Sequence, residues 1–257
     1  MERLKFYDPV NTELNVYIAL RENENAEPFP SALMGRDVIS DLRSRVDKPQ
    51  EAGERRYIQL LGKRTMDIVL SAAALLVLAP VLVVIAIAIC LESKGSPLFS
   101  QIRWGKDGRK ILVFKFRSMR ADLGDPTGVN QTIKGDPRIT KVGAFLRRTN
   151  LDELPQIYNV LRGDMSLVGP RCHAIGMLAG GVLYEELVPE YHDRHSMRPG
   201  LTGLAQMRGL RGPTDRPAKA RARIASDLRY VENFSLLLDV QILIGTIVSE
   251  LRGGQGF

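Results

Sequence analysis

Two cysteines, three histidines and one tryptophan in 257 residues are too few for the structures those side chains usually build. Cys90 lies in an apolar run and Cys172 in a distant polar region, so no disulfide framework is expected and a reducing compartment fits better. His192 and His195 are spaced i, i+3 and read as a surface pair rather than a metal site. Aromatic residues make up 6% of the chain and no nucleic-acid-binding motif appears, so the net charge of +7 does not point to nucleic acid. The phosphate-binding and dinucleotide loops G-x-x-x-x-G-K-[ST] and G-x-G-x-x-G are absent. So are the hydrolase elbow G-x-S-x-G, the zinc signature H-E-x-x-H and any Asp-x-Asp pair. Residues 1–7 carry charges where a secretory signal would have an apolar core. The excess of basic residues then leaves acidic lipid or a phosphorylated substrate as the expected partner.

One thing the chain has in abundance is a long apolar run. Residues 68–91 are 24 residues without a charge. That is enough for a helix to reach across a bilayer core of roughly 30 Å. Pro80 falls inside the run, where it removes a backbone hydrogen bond and bends a helix. Arg55, Arg56, Lys63 and Arg64 precede the run, and Lys94, Arg103, Lys106, Arg109 and Lys110 follow it. Positive charge marks the cytoplasmic side. With both flanks basic, a helix that bends at Pro80 and returns satisfies the rule without conflict, whereas a simple span has no preferred orientation.

The fold class expected is α+β and mostly helical, with one membrane segment bent at Pro80. Residues 1–60 read as a polar N-terminal extension, 61–93 as the membrane helix and 94–257 as a globular domain. Alternation over 111–116 predicts a strand, with Phe114 and Phe116 on it. The Gly-, Asp- and Pro-rich stretch 124–136 predicts a loop. Helices are expected over 142–148, 154–161 (closed by Gly163), 218–232 and 235–251. The last of these is apolar enough to pack on the core or lie at a membrane interface.

The chemistry concentrates in 149–171. Proline is tolerated only in the first turn of a helix, so Pro155 predicts a helix start near Asn150, Leu151 or Asp152. Asp152 and Glu153 would then occupy a helix N-terminus, which favours negative charge and can hold phosphate. Arg147 and Arg148 precede the pair and Arg171 follows it, and arginine forks suit phosphate oxygens. Cations of this kind would keep the pair ionised, as a nucleophile or a metal ligand. Local pattern alone leaves a second reading open, in which Asp152 merely caps the helix.

Five ordered blocks go further: KRTMDIVLS at 63–71, SKGSPLFSQIRWGKDGR at 93–109, KFRSM at 115–119, 139–171 as a whole, and RPGLTGLAQMRG at 198–209. With them, residues 64–257 resemble the bacterial sugar transferases of the monotopic phosphoglycosyl transferase superfamily, in its exopolysaccharide-initiating branch. The resemblance implies a UDP-sugar donor (galactose or glucose), Mg²⁺, undecaprenyl phosphate as acceptor, and UMP as product. It implies that Asp152 attacks the β-phosphate to form an aspartyl phosphosugar, that Glu153 assists with Mg²⁺ or protons, and that both lie at the metal. Arg148 and Arg171 are then the first candidates for phosphate or nucleotide contacts, with Arg147, Lys115, Arg117 and Asp164 behind them. The setting implied is the cytoplasmic face of the inner membrane, among its lipids: a monotopic fold with one re-entrant helix broken at Pro80 (61–93) and a cytosolic catalytic domain (94–257) with interfacial amphipathic helices, and a homodimer is compatible with it. Three departures stand out. Ala79-Pro80 replaces the family's Ser-Pro pair, Pro170-Arg171-Cys172 replaces Pro-Arg-Pro and so puts the rigidity of that loop in question, and Arg208-Gly209-Leu210 replaces Asn-Gly-Arg.

Overall fold

The structure is a computed structural model that describes residues 49–120, 122, 135–214 and 216–251. The described residues from Arg55 onward form one compact unit. Of the expected polar extension, residues 1–48 lie outside the described residues, as do most of the loop 124–136 and the ending 252–257.

Helix α1 spans Pro49–Glu92 and contains the whole apolar run. A hairpin follows, β1 (Leu98–Trp104) paired antiparallel with β2 (Lys110–Phe116), from Leu98 opposite Phe116 to Trp104 opposite Lys110. The sequence reading has the second of these strands alone. Asp107 (φ 56°) and Gly108 (φ 69°) make the left-handed turn between them. Next come α2 (Lys141–Arg148), a 3₁₀ turn at Leu151–Glu153 and α3 (Gln156–Arg162). The short strand β3 (Ser166–Val168) pairs in parallel with β6 (Gly200–Thr202). Between them lie the small hairpin β4 (Leu178–Ala179) and β5 (Val182–Leu183), α4 (Tyr184–Leu187) and a 3₁₀ run Pro189–Ser196. The chain continues as α5 (Leu204–Met207), α6 (Pro217–Glu232) and α7 (Leu236–Leu251). The described part is therefore mostly helical, with three two-stranded sheets.

Helical structure in α1 continues across Pro80. Of its most apolar window only 11% is buried, and Leu76 and Val77 are 79% and 75% exposed. Both sides of that bare stretch dock on the rest of the fold. Before it, Lys63, Asp67 and Ser71 recur every four residues, which places them on one helix face, and all three are buried. Lys63 donates to the Asp239 carboxylate on α7 at 2.6 Å and to the Val168 carbonyl at 2.8 Å. Tyr230 donates to the other Asp239 oxygen at 2.6 Å. Asp67 accepts from the Ser166 hydroxyl and the Leu167 amide. Arg64 donates to the carbonyls of Val160 and Leu161, in the last turn of α3, where a cation also suits the helix dipole. Lys63 and Arg64 therefore do not act as a solvent-facing basic flank: their charge is engaged inside the fold.

After the bare stretch, Ile85 and Ile89 pack with Phe116 of β2 and Leu146 of α2. The Glu92 carboxylate accepts the free amides of Lys141 and Val142 and so caps α2, helped by Thr140 at Gly143. In return Arg117 donates to carbonyls at the end of α1, including Ser93 at 2.7 Å. The contact is close enough to require glycine at 143, where a β-carbon would lie 2.0 Å from the Ser118 carbonyl oxygen. A further core gathers Val168, Met197, Leu204, Tyr230, Phe234 and Ile242 beneath α7. The other face of α7 leaves Leu237, Ile244 and Ile247 more than half exposed, at 69%, 57% and 59%.

Candidate active site

Asn150 turns the chain between α2 and the 3₁₀ turn by adopting a left-handed conformation (φ 55°), which asparagine tolerates better than most residues. Leu151 and Leu154 pack into the cluster formed by Phe116 and Leu146, which pins the turn from below. Between these two anchors sit Asp152 and Glu153. Pro155 is the N-cap of α3, and the α-helix proper begins at Gln156. The expected helix start at 150–152 is thus a 3₁₀ turn, because a proline without an N–H delays the α-helix. The charges that act on the pair come from side chains on other elements rather than from a helix terminus.

Glu153 is enclosed. Its Oε1 accepts from Lys115 Nζ at 2.7 Å and from Arg171 Nη2 at 2.6 Å, and its Oε2 accepts from Arg171 Nη1 at 3.2 Å. Lys115 projects from β2, and Arg171 from the loop after β3. Burial opposes the charge on Glu153, but the two cations outweigh it and hold the carboxyl well below the usual range. Asp152 is 9% exposed, and among the described residues its carboxylate takes part in no hydrogen bond. Burial pushes its carboxyl up, as does the charge of Glu153, against the fields of Lys115, Arg147 and Arg171. The cations keep Glu153 ionised, as expected of both residues. For Asp152 the direction is reversed, because desolvation dominates where no donor reaches the oxygens.

The loop that presents Arg171 is clamped through its carbonyls. Arg194 donates to the Arg171 carbonyl and, at 2.6 Å, to the Asp227 carboxylate on α6. Arg103 of β1 donates to the Cys172 carbonyl at 3.1 Å, and the Trp104 amide to that of His173 at 3.4 Å. Arg194 and Asp227 are each 1% exposed, so this support is fully internal. Gly200 lies against the same loop, and a β-carbon there would come within 2.1 Å of the Gly169 amide nitrogen. Rigidity that a second proline would have supplied locally is supplied here by a buried ion pair and two neighbouring strands. No local spacing announces this role: Arg194 and Asp227 are far from Arg171 in sequence and belong to no short motif.

The other candidates are distributed as follows. Arg147 donates to Ser118 at 3.4 Å and its field reaches Asp152. Arg148 is exposed at the end of α2. Arg117 is buried and engaged at the end of α1. Asp164 pairs with Arg162 and accepts from Asn159 at 3.3 Å, so it is engaged in a local ion pair. His195 is buried, not on the surface: it packs against Trp104 and Tyr191, and burial pushes it down to about 4. The two cysteines are unpaired. Among the described residues no group of three or more His, Cys, Asp or Glu side chains gathers to hold a metal. Mg²⁺ needs only one or two carboxylates when it arrives with phosphates, and the bare carboxylate of Asp152 fits that requirement. Both oxygens of Glu153 are already taken by cations.

The site therefore sets a buried carboxylate, without a hydrogen bond among the described residues, beside a second carboxylate held by a lysine and an arginine. Comparison with known proteins gives the class. Residues 58–253 match the family model of the bacterial sugar transferases. The chain belongs to this family, whose members are enzymes. The chain is 68% identical over 200 residues to an exopolysaccharide production protein of Rhizobium leguminosarum bv. phaseoli, covering 78% of this chain and 100% of that one. It is 47% identical over 190 residues to the UDP-glucose:undecaprenyl-phosphate glucose-1-phosphate transferase of Escherichia coli, covering 74% of this chain and 40% of that one. It is 44% identical over 253 residues to the enzyme of the same name in Xanthomonas campestris pv. campestris, covering 98% and 49%. The match thus takes in the whole of the Rhizobium protein but less than half of each transferase.

Proposed function

We propose that this enzyme transfers a hexose-1-phosphate from a UDP-sugar to undecaprenyl phosphate and releases UMP, the first membrane step of exopolysaccharide or related glycoconjugate synthesis. The observation that carries the reading is the bare, buried carboxylate of Asp152 next to the cations Lys115, Arg147 and Arg171. The names of the relatives support the donor and acceptor classes, and favour glucose over galactose.

In the first half-reaction an Asp152 oxygen bonds to the β-phosphorus of the donor. The bond from that phosphorus to the bridging oxygen breaks, and its electron pair leaves with UMP. In the second, an oxygen of the acceptor phosphate bonds to the same phosphorus and Asp152 departs, leaving a lipid diphosphate sugar. This is covalent catalysis with ping-pong kinetics. Attack requires Asp152 to be ionised, which the three cations favour and burial opposes. Lys115 and Arg171, already fixed by Glu153, present donors where a diphosphate would lie. Mg²⁺ held by Asp152 and the donor phosphates would offset negative charge at the diphosphate. Glu153 then acts chiefly as the anchor that orients the two cations. UMP release over a panel of UDP-sugars, with Mg²⁺ and undecaprenyl phosphate, tests the function. Wild type releases UMP with at least one sugar and Asp152→Asn releases essentially none; full activity in the mutant removes Asp152 from the role.

The same reading sets α1 in the cytoplasmic leaflet of the inner membrane as a re-entrant element bent at Pro80, with the domain in the cytoplasm. Docking of α1 to one domain on both sides of its bare apolar stretch supports this, as does the exposed apolar face of α7. Single cysteines placed at Tyr57 and Lys106 should both resist a membrane-impermeant thiol reagent applied to intact cells, and labelling of Tyr57→Cys alone would mean a full span.

A further inference from the structure

Between α1 and α2 runs a groove of about 440 Å³, lined by Val84, Ile85 and Ala88 on one side and Val142, Phe145 and Leu146 on the other, with Lys141 at its rim. The volume is in the range of ligand sites. Apart from Lys141 the lining is apolar. The groove opens onto the bare part of α1, where Val84 and Ile87 are 65% and 54% exposed. Its floor continues toward the reactive turn, because Ile85, Leu146, Leu151 and Leu154 belong to one packed cluster. Leu146 is followed directly by Arg147, whose field acts on Asp152. A slot of this kind suits a molecule with a long apolar chain and an anionic head. The chain would fill the groove and the head would meet the basic side chains at its edges.

We propose that this groove holds the first isoprene units of the polyprenyl phosphate acceptor, with the phosphate at the Arg147 side of α2, within reach of the group on Asp152. The assignment rests on the proposed function, and ping-pong chemistry separates the two in experiment. Donor and acceptor act in different half-reactions, so a groove for the acceptor chain concerns only the second. Exchange of labelled UMP into the UDP-sugar, without acceptor, reads the first half-reaction alone.

The full chain in nanodiscs provides the test. Ala88→Trp fills the groove, Phe145→Ala widens it, and Val83→Trp adds the same bulk to an exposed position of α1. The proposal expects Ala88→Trp to raise KM for undecaprenyl phosphate about tenfold, the usual worth of a misfitted methylene or more in an apolar pocket. It expects a smaller rise for Phe145→Ala and none for Val83→Trp. UMP exchange should stay at the wild-type level in all three, which also certifies that they fold. A short-chain polyprenyl phosphate should be less affected by Ala88→Trp than the long one. If Ala88→Trp and Phe145→Ala leave acceptor KM unchanged, or change it no more than Val83→Trp does, the groove holds bulk lipid and the proposal falls. Loss of exchange in both groove variants would overturn it as well, by assigning the groove to the donor half. Absence of exchange in wild type would instead defeat the proposed function.

Discussion

Asp152 and Glu153 are consecutive residues of one turn, and their surroundings are opposite. On the Glu153 side every oxygen is taken: Lys115 comes across from β2 and Arg171 from the loop after β3. On the Asp152 side no donor arrives among the described residues, and burial works against the charge. A residue held by two cations is fixed and neutralised, so it suits positioning. A residue that is desolvated and free of hydrogen bonds keeps its lone pairs for a substrate. The contrast teaches that an Asp-Glu pair is not two copies of one function, and that the division of labour is made by elements distant in sequence.

The sharpest break of this contrast is Asp152→Asn, for which UMP release should fall by about 10⁴-fold or more, as for loss of a nucleophile elsewhere. Next in size is the support behind Arg171. Arg194→Ala leaves Asp227 buried and unpaired, at a cost of about 3–5 kcal/mol in thermal or denaturant unfolding. Arg194→Lys keeps the charge but shifts the donor, since Nη2 alone bridges the Arg171 carbonyl and Asp227. It should stay folded and lose kcat rather than donor affinity, because Arg171 no longer sits squarely on Glu153. Wild-type kcat in Arg194→Lys would mean that the buried pair serves stability alone.

The smallest effect is a shift in pH. Asp152 is raised, so its ionised fraction falls at a higher pH than for an ordinary aspartate near 3.9, and UMP release should decline on the acid side accordingly. Lys115 lowers the Asp152 pKa, so Lys115→Met should move that acid limb to still higher pH. An unmoved limb in the pH–rate profile would show that Asp152 does not govern it. Stability follows the opposite sign at the neighbour. Glu153 is held low, so its contribution is present above the ordinary glutamate value of about 4.3 and is lost as pH falls toward its folded value.

Much of this was legible in the sequence, for stated reasons. The apolar run of α1 needed only its length and lack of charge, and the strand at Lys110–Phe116 only its alternation. Gly163 marked the end of α3, where it takes a left-handed conformation at φ 99°. Asp152 and Glu153 were found by pattern, but their placement in a 3₁₀ turn was not, because Pro155 permits several geometries before the helix it delays. Lys63 and Arg64 looked like membrane flanks. Only the fold reveals that Asp239 and the carbonyls of Val160 and Leu161 receive them. His195 looked like a surface residue until Trp104 and Tyr191 closed over it. In each case the missing information was a partner far along the chain, which no local period encodes.

The most direct test of the central claim is to look for the bond that Asp152 is said to make. The enzyme in nanodiscs is mixed with the UDP-sugar and Mg²⁺, without acceptor, quenched in acid and analysed by intact and peptide mass spectrometry. The account predicts a hexose phosphate adduct on the peptide that carries Asp152, lost when undecaprenyl phosphate is added and absent from Asp152→Asn. An enzyme that turns over with acceptor but never carries an adduct, or carries it on another residue, would contradict it.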